Sequence, residues 1–187
     1  LRLSVMHDEA GSFALSFTQA ALSYSYEARL NRRQAIRGGL RMGYTMRTYD
    51  ASNLLFADQV IRDNAPTSIE PAMLQNVSYF DFSGGLLYYT EQFWFGVSTN
   101  HVNEPEETLF IDGDAKLPMR TSVNAGYRFA VDGRSFKRSE TKMTLASQYK
   151  AQEKWDQLDI GGYIDHGPIL YGIWYRGLPI LKSYQPG

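Results

Sequence analysis

From Ala20 to Leu30 every second residue is apolar or aromatic (Ala20, Leu22, Tyr24, Tyr26, Ala28, Leu30), and the residues between are Ala21, Ser23, Ser25, Glu27 and Arg29. The same register returns after the break at 31–34, with Ile36, Leu40, Met42, Tyr44 and Met46 on one face and Arg37, Arg41, Thr45 and Arg47 on the other. A period of two sorts the sets onto opposite faces of a β-strand. Runs of about ten residues or more outlast the ~5–6-residue strand of a soluble sheet and match the ~9–11 residues with which a tilted strand crosses a bilayer. The alternation predicts an all-β chain that forms an antiparallel transmembrane β-barrel of the outer membrane.

Average composition hides this pattern. With 187 residues, 43% of them hydrophobic, and a mean hydropathy of −0.37, the chain resembles an ordinary all-β domain in water. In a barrel only alternate residues meet lipid, so mean hydropathy stays low and no apolar run approaches the ~20 residues of a membrane-spanning helix. Aromatic residues make up 14% of the chain, 13 of them Tyr, which fits interfacial girdles that need an apolar ring with a polar tip. The same composition fits a soluble carbohydrate-binding β-protein whose Tyr and Trp stack on sugars. A net charge of −1 supplies no basic field for nucleic acid. With no cysteine there is neither a disulfide framework nor a thiolate metal site.

About nine strand candidates follow along the chain: 1–7, 13–30, 35–49, 79–90, 93–100, 119–131, 141–150, 155–165 and 169–176. In the run from Met119 to Val131, Met119, Val123, Ala125, Tyr127, Phe129 and Val131 oppose Arg120, Ser122, Asn124, Gly126 and Arg128. A one-residue slip there would place two arginines in hydrocarbon, at ~2–4 kcal/mol each near the midplane, so the register is strongly specified. Asn53 to Arg62 has the makings of a short helix. The chain opens inside a strand-like run and closes on Gln185-Pro186-Gly187. Residues 1–187 are therefore expected to be a single barrel domain, an internal fragment lacking the N-terminal and C-terminal strands.

The breaks at 31–34, 91–92, 132–139 and 166–168 are short and fall on one side. The other side carries the longer stretches 50–78 and 103–118, together with two short turns near 8–12 and 151–154. Outer-membrane barrels keep short turns in the periplasm and long loops outside. Arg29, Arg37, Arg41, Arg47, Arg120, Arg128 and Arg176 share the inward face with Glu27, Asp81, Asp159 and Asp165. Such mixed charges pair across strands and plug a barrel, or, as rings of arginine, line a pore that attracts anions. Small inward residues, among them Gly96, Gly126 and Gly161, mark bends or room for an inserted partner segment.

Catalytic constellations are weak. His7-Asp8-Glu9 and His101 with Glu104 read as surface turns, and His166-Gly167-Pro168 as turn chemistry. Three histidines in three regions make no Ser/His/Asp set, no metal site is indicated, and no glycine-rich phosphate loop occurs. The expectation is a protein that is not an enzyme and holds no cofactor.

Longer wording adds a resemblance. The run from Ser4 to Gly11 (SVMHDEAG), the run from Gly84 to His101 (GGLLYYTEQFWFGVSTNH) with Asn103-Glu104-Pro105, the run Asn124-Ala125-Gly126-Tyr127-Arg128-Phe129 and the run from Gly172 to Ile180 (GIWYRGLPI) occur in that order along the chain. Together they resemble the PorP/SprF family of type IX secretion outer-membrane proteins. The resemblance implies an outer-membrane β-barrel of Bacteroidetes, a Gram-negative group, with no catalytic motif. It implies a role in exporting or anchoring surface proteins that carry the type IX C-terminal signal domain, gliding adhesins included, or in coupling them to other secretion subunits in the periplasm. A solute-conducting porin or transporter is the alternative. Partner contact is expected at the acidic 103–118 loop, through Glu104, Glu106, Glu107, Leu109, Phe110 and Ile111, and at Trp94 and Trp174, with outer-membrane lipid as the surrounding solvent.

Overall fold

The computed structural model describes residues 1–10, 15–49, 61, 75–110 and 113–178. Nine strands follow in order: β1 (Arg2–Ala10), β2 (Leu15–Asn31), β3 (Gln34–Tyr49), β4 (Val77–Thr90), β5 (Phe93–Asn100), β6 (Arg120–Ala130), β7 (Thr141–Gln152), β8 (Trp155–His166) and β9 (Ile169–Leu178). They form one sheet in which each strand lies beside its sequence neighbours. The pairings of β1 with β2, and of each neighbouring pair from β4 to β9, are antiparallel, as for a meander of hairpins. All nine expected runs are strands, with ends moved by a few residues. Of the helix expected at Asn53 to Arg62, all but Ile61 lies outside the described residues.

One boundary corrects the sequence reading. His7, Asp8 and Glu9 are not a surface turn: β1 continues through them, opposite Thr18, Phe17 and Ser16. His7 Nδ1 lies 2.8 Å from Thr18 Oγ1 and Nε2 lies 3.1 Å from Glu9 Oε1. The backbone ladder carries the strand past the point where apolar alternation stops, because its hydrogen bonds do not depend on side-chain polarity.

The two faces of the sheet are chemically inverted relative to a protein dissolved in water. Leu40 is 71% exposed and Ile173 81%, whereas Thr45 and Thr144 are fully buried and Asp81 and Asp159 are 5% and 4% exposed. Among the described residues the buried apolar side chains are two alanines, Ala21 and Ala35. Register keeps the sets apart. Val97 faces Leu86 on one side and Val123 on the other, while Ser98 faces Gly85 and Ser122. Across the later strands Asn124 faces Gln148, Gln148 faces Asp159, and Asp159 faces Arg176. Covering a Val, Leu, Ile or Phe side chain is worth ~1.5–3 kcal/mol in water, so a face with this many bare ones is built for an apolar solvent.

Contacts cluster into two units, one of Leu1–Tyr24, Arg41–Phe82 and His101–Pro118, the other of Ser25–Leu40, Ser83–Asn100 and Met119–Gly187. In the first, Arg41 Nη2 donates to Gln19 Oε1 at 2.8 Å and Gln19 Nε2 donates to Thr45 Oγ1 at 3.0 Å. The outward rings of Tyr44 and Phe80 pack with centroids 5.0 Å apart. In the second, glycines on the polar face make room for tryptophans: a β-carbon at Gly126 would overlap the Trp94 ring, and one at Gly161 the Trp174 ring. Both are directly opposed cross-strand pairs.

Side chains close the turns of this second unit. Thr90 Oγ1 accepts from the backbone N–H of Phe93 at 2.8 Å and of Gln92 at 3.2 Å. In the β6–β7 turn Asp132 accepts from Arg134 N at 3.2 Å and Glu140 N at 3.0 Å, and Gly133 has φ +71°. Desolvation opposes ionisation of Asp132, but hydrogen bonds from Ser139 and from the backbone N–H groups of Arg134, Glu140 and Thr141 outweigh it and hold the carboxyl below its ordinary value. A depressed carboxylate stabilises this turn above the unfolded value of 3.8 and stops doing so as pH falls through its lower folded value. At neutral pH, Asp132→Ala is expected to open the turn to trypsin at Arg134, Lys137 and Arg138; a cleavage rate equal to wild type would show that the carboxylate is not what closes it.

Gly126→Val is expected to lower folding stability by about 1–3 kcal/mol, since the Trp94 ring must leave its place. A urea unfolding midpoint unchanged from wild type would show that the ring is not seated there.

Candidate functional site

The polar face of the second unit is laced by charge pairs. Glu27 is held by Arg37 and lies 3.6 Å from Arg29 Nε. Arg128 Nη2 donates to Asp165 Oδ2 at 2.7 Å. Asp159 accepts from Gln157 Nε2 at 2.6 Å and lies 3.4 Å from Arg176 Nε and 3.9 Å from Lys150 Nζ. In the first unit Arg47 Nη1 is 3.1 Å from Glu107 Oε2, and His101 Nδ1 is 3.0 Å from Asp81 Oδ1. Five of the seven arginines assigned to this face by alternation, Arg29, Arg37, Arg47, Arg128 and Arg176, therefore meet a carboxylate. Arg41 meets the Gln19 amide, and Arg120 opens β6 opposite Asn100 and Gln152. Cross-strand pairing of this kind fastens neighbouring strands.

His101 departs from the sequence reading as well. It does not stand in a solvated surface turn; its side chain is largely covered and reaches back to Asp81. A left-handed backbone at His101 (φ 56°) and Glu104 (φ 42°) turns the chain so that it can. Asn103 completes the corner, accepting from Phe82 N at 3.0 Å and donating to Phe80 O at 2.7 Å.

The 103–118 connection then folds on itself. Leu117 N donates to Pro105 O and Glu107 N to Ala115 O, both at 2.9 Å, and Glu106 bridges Lys116 in antiparallel fashion. Gln75 N donates to Leu109 O at 2.7 Å. This small hairpin was missed because its sides do not alternate; the Asp112-Gly113-Asp114 turn signal was its legible trace. On it Glu104 and Glu106 are exposed, Phe110 is 60% exposed, Leu109 is half-buried, Glu107 is tied to Arg47, and Ile111 lies outside the described residues. Trp94 and Trp174 belong to the second unit, each lying across its glycine on the polar face.

Among the described residues no group of three or more His, Asp or Glu could hold a metal ion, and no helix is long and apolar enough to cross a membrane. A sheet that bares an apolar face and pairs the charges of the opposite one is that of a membrane protein. The sequence profile described as type IX secretion system membrane protein PorP/SprF matches residues 1–186. The chain belongs to that family. Neither a curated protein nor a solved structure matches it.

Spin labels at Leu22, Leu40, Val123, Ile160 and Ile173 are expected to be quenched by oxygen in the bilayer, and labels at Arg41, Ser98, Asn124 and Asp159 by a water-soluble reagent. Equal accessibility of the two sets would defeat this assignment of the faces.

Proposed function

We propose that the chain forms the wall of an outer-membrane β-barrel and serves the type IX system as a non-enzymatic accessory. In this reading it holds secreted surface proteins, or their C-terminal signal domain, and couples them to other secretion subunits. The observation that carries this reading is the pairing of charges across strands on the polar face. Arginines satisfied by Glu27, Asp159 and Asp165 brace a wall and leave few cations to guide a flow of anions. Short turns follow β2, β4 and β8 while the β3–β4 and β5–β6 connections are long, which supports an orientation with the long connections outside.

The β5–β6 hairpin is the proposed cargo contact. Its exposed carboxylates at Glu104 and Glu106 and its bare Phe110 ring combine charge with an apolar anchor, a combination that fits a protein surface better than an ion. Replacing residues 108–114 with an Asn-Gly turn closes the hairpin without its tip. The barrel is expected to insert at wild-type level while retention of type IX cargo at the cell surface falls about tenfold or more, the loss of roughly one anchor residue. Normal cargo display would exclude the hairpin as the contact. Reconstituted full-length protein is expected to show little steady conductance. Stable anion-selective channels that disappear in Arg128→Ala or Arg176→Ala would replace this reading with that of a conducting pore.

A further inference from the structure

The turns after β2, β4 and β6 contain Arg32, Arg33, Arg134, Lys137 and Arg138 against Glu91, Asp132 and Glu140. Every one of these carboxylates is already engaged. Glu91 lies 3.3 Å from Lys137 Nζ, Glu140 lies 3.2 Å from Arg134 Nη1, and Asp132 is filled by backbone N–H groups. Arg32, Arg33 and Arg138 are left exposed, with no carboxylate partner among the described residues.

These guanidinia sit on ordered turns. Arg33 N donates to Asn31 Oδ1 at 2.8 Å, and Asn31 Nδ2 donates to Gln34 Oε1 at 3.1 Å. Arg138 N donates to Ser135 O at 2.8 Å, followed by Ser139 N to the same carbonyl at 3.0 Å. Arg32 and Arg33 also border a cleft of about 290 Å³, shared with Glu27, Tyr89 and Glu91. Cations fixed at the backbone and free at the tip spend less conformational entropy on capturing an anion.

Their height along the strands identifies which anion. Exposed aromatic rings stand on the outward face toward this end: Tyr26 near the end of β2, Phe93 at the start of β5, Tyr127 late in β6 and Tyr171 early in β9, with Tyr44, Phe80 and Trp155 toward the other end. Aromatic rings collect where the hydrocarbon meets the headgroups. Leu30 is the last exposed apolar side chain of β2. Arg32 follows two residues later, about 7 Å further on at the rise of an antiparallel strand. The headgroup layer is about 5–8 Å deep on each side of the bilayer core.

We propose that Arg32, Arg33 and Arg138 bind the phosphates of anionic phospholipids in the leaflet at the short-turn end, holding that end of the sheet at the membrane surface. The proposal rests on the apolar face being lipid-facing. Guanidinium is suited to the task because its planar donors fit phosphate and it sheds water more readily than ammonium.

The test is native mass spectrometry of full-length protein in detergent, titrated with phosphatidylglycerol or with phosphatidylcholine. Wild type is expected to bind phosphatidylglycerol more tightly, and raised salt should weaken the preference. The variant R32Q/R33Q/R138Q is expected to lose it by about tenfold or more, on the basis of roughly fivefold for each cation at a membrane surface. R134Q/K137Q, which removes cations already paired, is expected to change it far less. An unchanged preference in the triple variant would overturn the proposal. So would loss of an acidic protein partner from that variant with lipid binding intact, which would make a protein the occupant. Insertion of the same samples into phosphatidylcholine vesicles reads the lipid-facing assignment separately: failure of wild type to insert would overturn that assignment and this proposal with it, whereas insertion without a phosphatidylglycerol preference would overturn this proposal alone.

Discussion

Everything in this sheet depends on where its backbone polar groups go. In hydrocarbon each N–H and C=O must find a partner within the protein, and each strand is paired through to the next from β1 to β9. With the ladder carrying the backbone, the side chains are sorted by face alone. The inversion follows: apolar residues out, Thr45, Thr144, Asp81 and Asp159 covered. The buried carboxylates on the polar side then need partners, because removing an unpaired charge from water is far more costly than removing a pair. His101 meets Asp81, and Arg176 meets Asp159.

The strands were legible because one constraint acts at every position along them. An apolar face on one side and a polar one on the other write a period of two directly into the residues, and register follows because a slip would exchange the faces at once. Elements outside the apolar band carry no such signal. The Pro105 to Leu117 hairpin is held by backbone bonds to Ala115, Pro105 and Gln75, which leave no hydropathy pattern. The extension of β1 through Glu9 was hidden for the same reason.

The candidate site was legible only in part. Alternation placed Arg128 and Arg176 on the same face as Asp165 and Asp159, but which carboxylate meets which arginine depends on register. The contact of His101 with Asp81 depends on more: a left-handed turn at His101 brings together residues twenty positions apart in sequence. Glu107 was grouped with its acidic neighbours, yet Arg47 claims it, so the charge the hairpin presents is smaller than its sequence suggests.

The tryptophans lying over glycines have a consequence for how this sheet can vary. Trp94 occupies the space that Gly126 leaves, and Trp174 the space left by Gly161. Each pair spans two strands, so neither member can drift alone. A side chain gained on β6 must be accompanied by a smaller ring on β5, and β8 and β9 are bound by the same condition. Across relatives these positions are expected to change together or not at all, giving paired substitutions a signature by which the alignment of adjacent strands can be recovered from sequences alone.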